Sequence, residues 1–131
     1  MYMRVREATR QITQLIDVRG AQTMPTYNKL VRDKIPQVLE AKGLAFRTRI
    51  LDETEYRAEL QTKLKEEMNE LLNATSSEET LEELADILEV VHALTQINGS
   101  TTTELEALRA KKADKRGGFQ ERVYLIDVED N

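Results

Sequence analysis

The chain has 131 residues, 40% of them apolar, a formal net charge of −5 and no cysteine. That length fits one domain, the negative balance argues against general affinity for a nucleic-acid polymer, and the absence of thiols excludes disulfides, zinc–thiolate sites and a cysteine nucleophile, which suits a cytoplasmic protein. No apolar run reaches the length of a membrane span and the first residues lack a secretory apolar stretch, so no membrane partner is expected.

Residues 4–19, RVREATRQITQLIDVR, set Val5, Ala8, Ile12, Leu15 and Ile16 at helical spacing and predict a short amphipathic helix. Its four arginines hint at a targeting presequence, although Glu7 and Asp17 are atypical of one. Packing on its own or a neighbouring protomer is the simpler reading. Further on, Pro36 suits the first turn of a helix over 36–42 that Gly43 closes, with 28–34 less regular. Asn28, Lys29, Arg32 and Lys34 give that less regular stretch several donors, for which solvated surface charge is the alternative role. Ala45–Leu51 alternates, with Phe46, Thr48 and Ile50 on one side and Arg47 and Arg49 on the other, and predicts a strand.

Asp52-Glu-Thr-Glu55 is a capping-box-like start for a long helix from Glu53 to about Asn73. Residues 74–78 turn the chain, Ser77 is a candidate cap, and a second helix runs from Glu79 to Ile97 until Asn98-Gly99 stops it. Thr101 to Glu104 repeats the capping-box signal for a helix reaching about Arg116. Gly117-Gly118 then breaks the chain before an apolar run, Val123–Val128, that predicts a strand. Its only reasonable partner is Ala45–Leu51, because a lone strand leaves its backbone groups unsatisfied.

Two acidic clusters stand on the long helices: Glu66-Glu67-x-x-Glu70 and Glu83-x-x-Asp86. At roughly 100° per residue, Tyr56, Leu60, Leu64, Met68, Leu71 and Leu72 share one face of the first helix, and Glu67 falls inside it with Glu70 at its flank. On the second, Leu81, Leu84, Ile87, Leu88, Val91 and Leu94 form a stripe widened by Val90 and Ile97, with Glu83 inside the arc and Asp86 just beyond. Acids on an apolar face are costly unless a cation neutralises them. The i, i+3 spacing puts both members of each pair on one side of a helix, so two such helices packed antiparallel would bring four carboxylates around one point. An all-oxygen site without cysteine or paired histidine suits Mg²⁺ or Mn²⁺. The bland alternative is that these acids are solvated edges of Glu-rich helices. The breadth of the second apolar arc predicts burial on several sides, as in a homodimer or higher homo-oligomer.

The order EExxE, spacer, ExxD resembles the metal-binding signature of the all-α nucleoside triphosphate pyrophosphohydrolases, which include the MazG-like proteins, dimeric dUTPases and phosphoribosyl-ATP pyrophosphohydrolase. Tyr27-Asn-Lys-Leu-Val-Arg-Asp-Lys-Ile-Pro36 and Lys115-Arg-Gly-Gly-Phe119 resemble a MazG-related subfamily described as phosphoribosyl-ATP pyrophosphohydrolase-like. The resemblance covers about Tyr27 to Val128. Met24-Pro-Thr-Tyr resembles a start in that subfamily, which leaves residues 1–24 as an N-terminal extension to a domain at 25–131. The expected architecture is mainly α, an antiparallel helix bundle with a small two-stranded β element. The resemblance implies Mg²⁺-dependent hydrolysis of a nucleoside triphosphate to the monophosphate and pyrophosphate, in nucleotide-pool housekeeping.

On that resemblance Glu67, Glu70, Glu83 and Asp86 match the metal ligands, and Glu66 takes a supporting or base role, orienting or deprotonating the attacking water. Lys63 can meet a phosphate or pair with Glu67 one turn on. Lys112, Lys115 and Arg116, in the one dense basic cluster, are candidate phosphate contacts, or else simply complement the helix C-terminus. Asn28 and Arg32 complete the substrate-binding candidates. A di-iron bundle would use ExxH motifs from two helices; Glu89-Val-Val-His92 supplies one, and the chain has a single histidine, so that reading is set aside. A non-catalytic helical module that binds metal or nucleotide is the alternative from another class. With 5% aromatic residues and no Trp, no base-stacking platform identifies the nucleotide.

Overall fold

The computed structural model describes residues 25–130, and the expected amphipathic helix over 4–19 lies outside them. The described part is mainly α: α1 (Ile35–Ala41), α2 (Glu53–Leu72), α3 (Ser77–Ile97) and α4 (Thr102–Arg116). Each long helix begins where a short polar side chain accepts from the backbone N–H three residues on, satisfying a donor that the first turn leaves exposed. Asp52 Oδ1 accepts from Glu55 N at 2.8 Å, Ser76 Oγ from Glu79 N at 3.1 Å and Thr101 Oγ1 from Glu104 N at 3.1 Å. The cap of α3 is therefore Ser76 and not the expected Ser77. Glu79 decides this: three residues after Ser76, its carboxylate also reaches back to Thr75 N at 3.0 Å and Thr75 Oγ1 at 3.2 Å. Ser77 has Thr80 at that spacing, which offers no carboxylate.

The stops follow the expected glycines. Gly43, at φ 70, lies in the left-handed region and lets Leu44 N donate back to Leu39 O at 3.1 Å, closing α1. Gly99, at φ 81, does the same after α3, where Ser100 N donates to Thr95 O at 3.1 Å.

A short turn over 73–76 folds α3 back against α2, and this pair is the centre of the structure. Arg57 near the start of α2 closes the far end of α3, donating to Asn98 Oδ1 at 2.8 Å and to Ile97 O at 3.2 Å. A cation there meets the negative end of the helix and one of its last carbonyls. Leu60, Lys63 and Glu67 of α2 and Glu83, Asp86 and Val90 of α3 are buried. α4 contacts α3 but not α2 and buries no residue of its own.

Two observations qualify the expectations. Of the apolar stripe on the second helix, Leu81 is 70% exposed and Leu84 and Leu88 are exposed with it, while Ile87, Val91 and Leu94 are half-buried. The buried side of the helix carries Glu83, Asp86 and Val90, at one edge of the apolar arc. On α2, Met68 and Leu72 are likewise exposed. The second observation concerns the β element. Among the described residues there is no strand, and 45–51 and 123–130 make no main-chain hydrogen bond to another main-chain group. Alternation supplies a surface that suits a strand, but a strand also needs a partner within hydrogen-bonding reach.

No described helix is long and apolar enough to cross a membrane. The assignment of the α3 cap has a direct check. Ser76→Ala is expected to cost about 1 kcal/mol of unfolding free energy, and Ser77→Ala less than about 0.5 kcal/mol, as read from urea midpoints. A larger loss at Ser77 would return the cap to that residue.

Candidate metal centre

The turn between α2 and α3 sets Glu67 and Glu70, one helical step of three apart, against Glu83 on the facing helix. A carboxylate oxygen from each of the three lies within 4.8 Å of the others. Glu67 is 1% exposed, Glu83 is also buried, and Glu70 is half-buried at the edge. Three of the four expected ligands thus converge. Asp86, 1% exposed, lies one turn along α3 from Glu83, where its Oδ1 accepts from Arg32 Nη2 at 2.7 Å.

Arg32 comes from the irregular segment just before α1, fifty-four residues away in sequence. Its Nη1 also stands 3.9 Å from Glu89 Oε1. Burial pulls the Arg32 guanidinium below its ordinary range, and attraction to Glu89 and Glu67 opposes that. A guanidinium starts so far above neutrality that it stays charged, and so it carries a permanent positive charge into a cluster of acids. Arg32 is expected as a substrate contact; in the structure its guanidinium meets Asp86 and Glu89.

Lys63 is buried on α2, with Nζ 3.3 Å from Glu66 Oε2. This i, i+3 pair fixes the side chain expected to act on water at the margin of the carboxylate group. Asn28 is exposed and sits in the left-handed region at φ 43, a conformation asparagine tolerates. Lys112, Lys115 and Arg116 are exposed on α4 and make no hydrogen bond or ion pair with the acids among the described residues. Lys115 and Arg116 lie in the last turn of that helix, where their charge complements its C-terminus. His92 is half-buried on α3 and belongs to no ligand-like group among the described residues.

The donor set fits a hard divalent cation. It offers carboxylate oxygens alone, from two rigid helices, at a separation where shared coordination relieves like-charge repulsion. The pairing of Arg32 with Asp86 is what sequence reasoning missed. No local pattern announces a contact across that distance in the chain. The only hint was a basic residue in a segment without regular structure. No protein-family model, curated protein or solved structure matches this chain.

Removing one partner of a buried ion pair leaves the other charge poorly compensated. Arg32→Ala is therefore expected to lower the stability of the metal-free protein by about 3 kcal/mol, measured by urea unfolding. Adding Asp86→Asn should recover part of that loss, because the buried charge is gone. Losses that simply add in the double variant would mean the two side chains act independently.

Proposed function

We propose that this chain is a Mg²⁺-dependent nucleoside triphosphate pyrophosphohydrolase of the MazG-like, all-α type, acting in nucleotide-pool housekeeping in the cytoplasm. The observation that carries the reading is the convergence of Glu67, Glu70 and Glu83 oxygens within 4.8 Å between two packed helices. Their order in the chain, with Glu66 beside them and Asp86 one turn on, is the order in the resemblance.

In this reading Glu67, Glu70 and Glu83 would hold the ion, with Mn²⁺ as a substitute and Asp86 as the fourth ligand. When bound, such an ion neutralises phosphate oxygens and lowers the pKa of water. Glu66 accepts the proton of the attacking water, held in place by Lys63 at 3.3 Å. Water adds at the α-phosphorus, the bond from that phosphorus to the bridging oxygen breaks, and pyrophosphate leaves from the nucleoside monophosphate. Arg32 orients Asp86 through its 2.7 Å contact and adds positive charge beside the phosphates. Lys112, Lys115 and Arg116 lie on a helix that does not contact α2, so they would serve the phosphates from a second protomer.

A homodimer or larger homo-oligomer is the second element of the proposal. The exposed stripe of Leu81, Leu84 and Leu88, with Met68 and Leu72 on α2, is a large apolar surface for one chain to leave in water. A non-catalytic metal- or nucleotide-binding module shares the same carboxylates and differs only in turnover.

Mg²⁺ or Mn²⁺ is expected to raise the melting temperature of the wild type, with most of that response lost in Glu67→Gln and Glu83→Gln. Equal shifts in all three proteins would remove the carboxylate site. With a panel of canonical, damaged and phosphoribosyl nucleotides, pyrophosphate and not orthophosphate should be the primary product. Glu66→Gln should lower kcat by roughly 10²-fold or more while changing metal affinity little. Intact Mg²⁺ binding without hydrolysis of any nucleotide would favour the non-catalytic module. Light scattering at micromolar concentration should report at least a dimer, and Leu81→Glu with Leu84→Glu should shift it toward monomer. A monodisperse wild-type monomer that still hydrolyses nucleotides would overturn the assembly.

A further inference from the structure

Two segments stand out from the helices by composition and exposure. One is 45–51, leading into α2; the other is 123–130, following α4. Ile50 is 96% exposed and Ile126 86% exposed, although β-branched apolar side chains in an ordered chain are ordinarily half-covered. Among the described residues neither segment has a main-chain hydrogen-bond partner, and 123–130 is exposed throughout.

Their sequences complement each other in one antiparallel register. Setting Ile50 opposite Ile126 places Leu51 opposite Leu125, Arg49 opposite Asp127, Thr48 opposite Val128 and Arg47 opposite Glu129. Because side chains alternate across a strand, the two ion pairs and Leu51–Leu125 fall on one face and Ile50–Ile126, Thr48–Val128 and Phe46–Asp130 on the other. A parallel alignment that keeps both ion pairs puts Ile50 against Asp130 instead. Arg49 at present forks onto Glu55, at 2.7 and 3.2 Å. That pair is exposed, so exchanging it for Asp127 costs little.

Within one copy the two segments make no main-chain hydrogen bond to each other. Arg57 ties the start of α2 to Asn98, just before α4. The fifteen residues of α4 span about 22 Å at 1.5 Å per residue before the tail begins. This helix buries no residue, yet helices of this length owe most of their stability to packing. The tail leaves it through a defined turn in which Arg122 N donates to Phe119 O at 3.2 Å, with Arg122 at φ 61.

We infer that the tail 123–130 of one protomer pairs antiparallel with 45–51 of a second copy, each copy giving its tail and receiving its partner's. The exchange is reciprocal and closes under two-fold symmetry, so it ends at a dimer instead of propagating. It rests on the helical dimer proposed above, because an isolated two-stranded ribbon is only marginally stable. The expected β element thus belongs to the assembly and not to the single chain.

The absence of native cysteine makes a clean test possible. The double variants Ile50→Cys/Ile126→Cys and Leu51→Cys/Leu125→Cys are oxidised in the full chain and run on non-reducing gels beside light scattering. Neighbouring pairs alternate between closer and wider spacing, so at least one of the two double variants should give a disulfide-linked dimer. Ile50→Cys/Asp130→Cys, displaced by four residues, should give far less. In the linked register Arg47→Glu should lower the yield by roughly 2- to 5-fold, with recovery on adding Glu129→Arg. A disulfide within the monomer would overturn the inference in favour of pairing inside one chain. A dimer that forms no cross-link in either in-register variant would overturn the strand exchange and leave the helical dimer standing. A monomer without cross-link would overturn both.

Discussion

Burying Glu67, Glu83 and Asp86 where two helices meet is the constraint from which the rest of the structure follows. An acid in that position costs far more than a leucine unless positive charge comes with it. Arg32 brings such charge from outside the pair and Lys63 from within it. With acids in the seam, the leucines adjacent to them on α3 turn outward. The site and the apolar surface are thus two consequences of which side of α3 is buried.

The same arrangement leaves the described residues poor in conventional core. Ile35, Leu60 and Val90 are the buried apolar residues among those described, a small set for the length described. A protein with a polar centre must bury apolar area elsewhere, and the exposed stripe on α3 provides the area for a second copy to cover. The unburied α4 and the uncovered tail extend the same logic. In the proposed assembly, the elements a single chain leaves idle become the interface.

The role proposed for the acids depends on rigidity as much as on chemistry. Both carboxylate pairs stand on long, capped helices joined by a turn of four residues, and Arg57 locks the opposite end of the pair. A site held in this way can keep its ligands close before any ion arrives, which limits reorganisation on binding. Arg32 is different in kind. It reaches the cluster from an irregular segment, so its position couples the path of the chain before α1 to the geometry of Asp86.

The sequence by itself determined the helices, because their signals are local. Asp52 and Thr101 reach backbone donors three residues away, Gly43 and Gly99 permit the left-handed stops, and the acids at i, i+3 share a helical side whatever the helix packs against. It also determined that Glu67 and Glu83 would be unusual. Tertiary structure alone decided which side of α3 met α2, since periodicity marks a leucine face without naming its partner. Arg32 and Asp86, far apart in the chain, could be joined only by the fold. The two β-like segments show the same limit: alternation made each fit for a strand, and among the described residues neither finds a main-chain partner in its own chain.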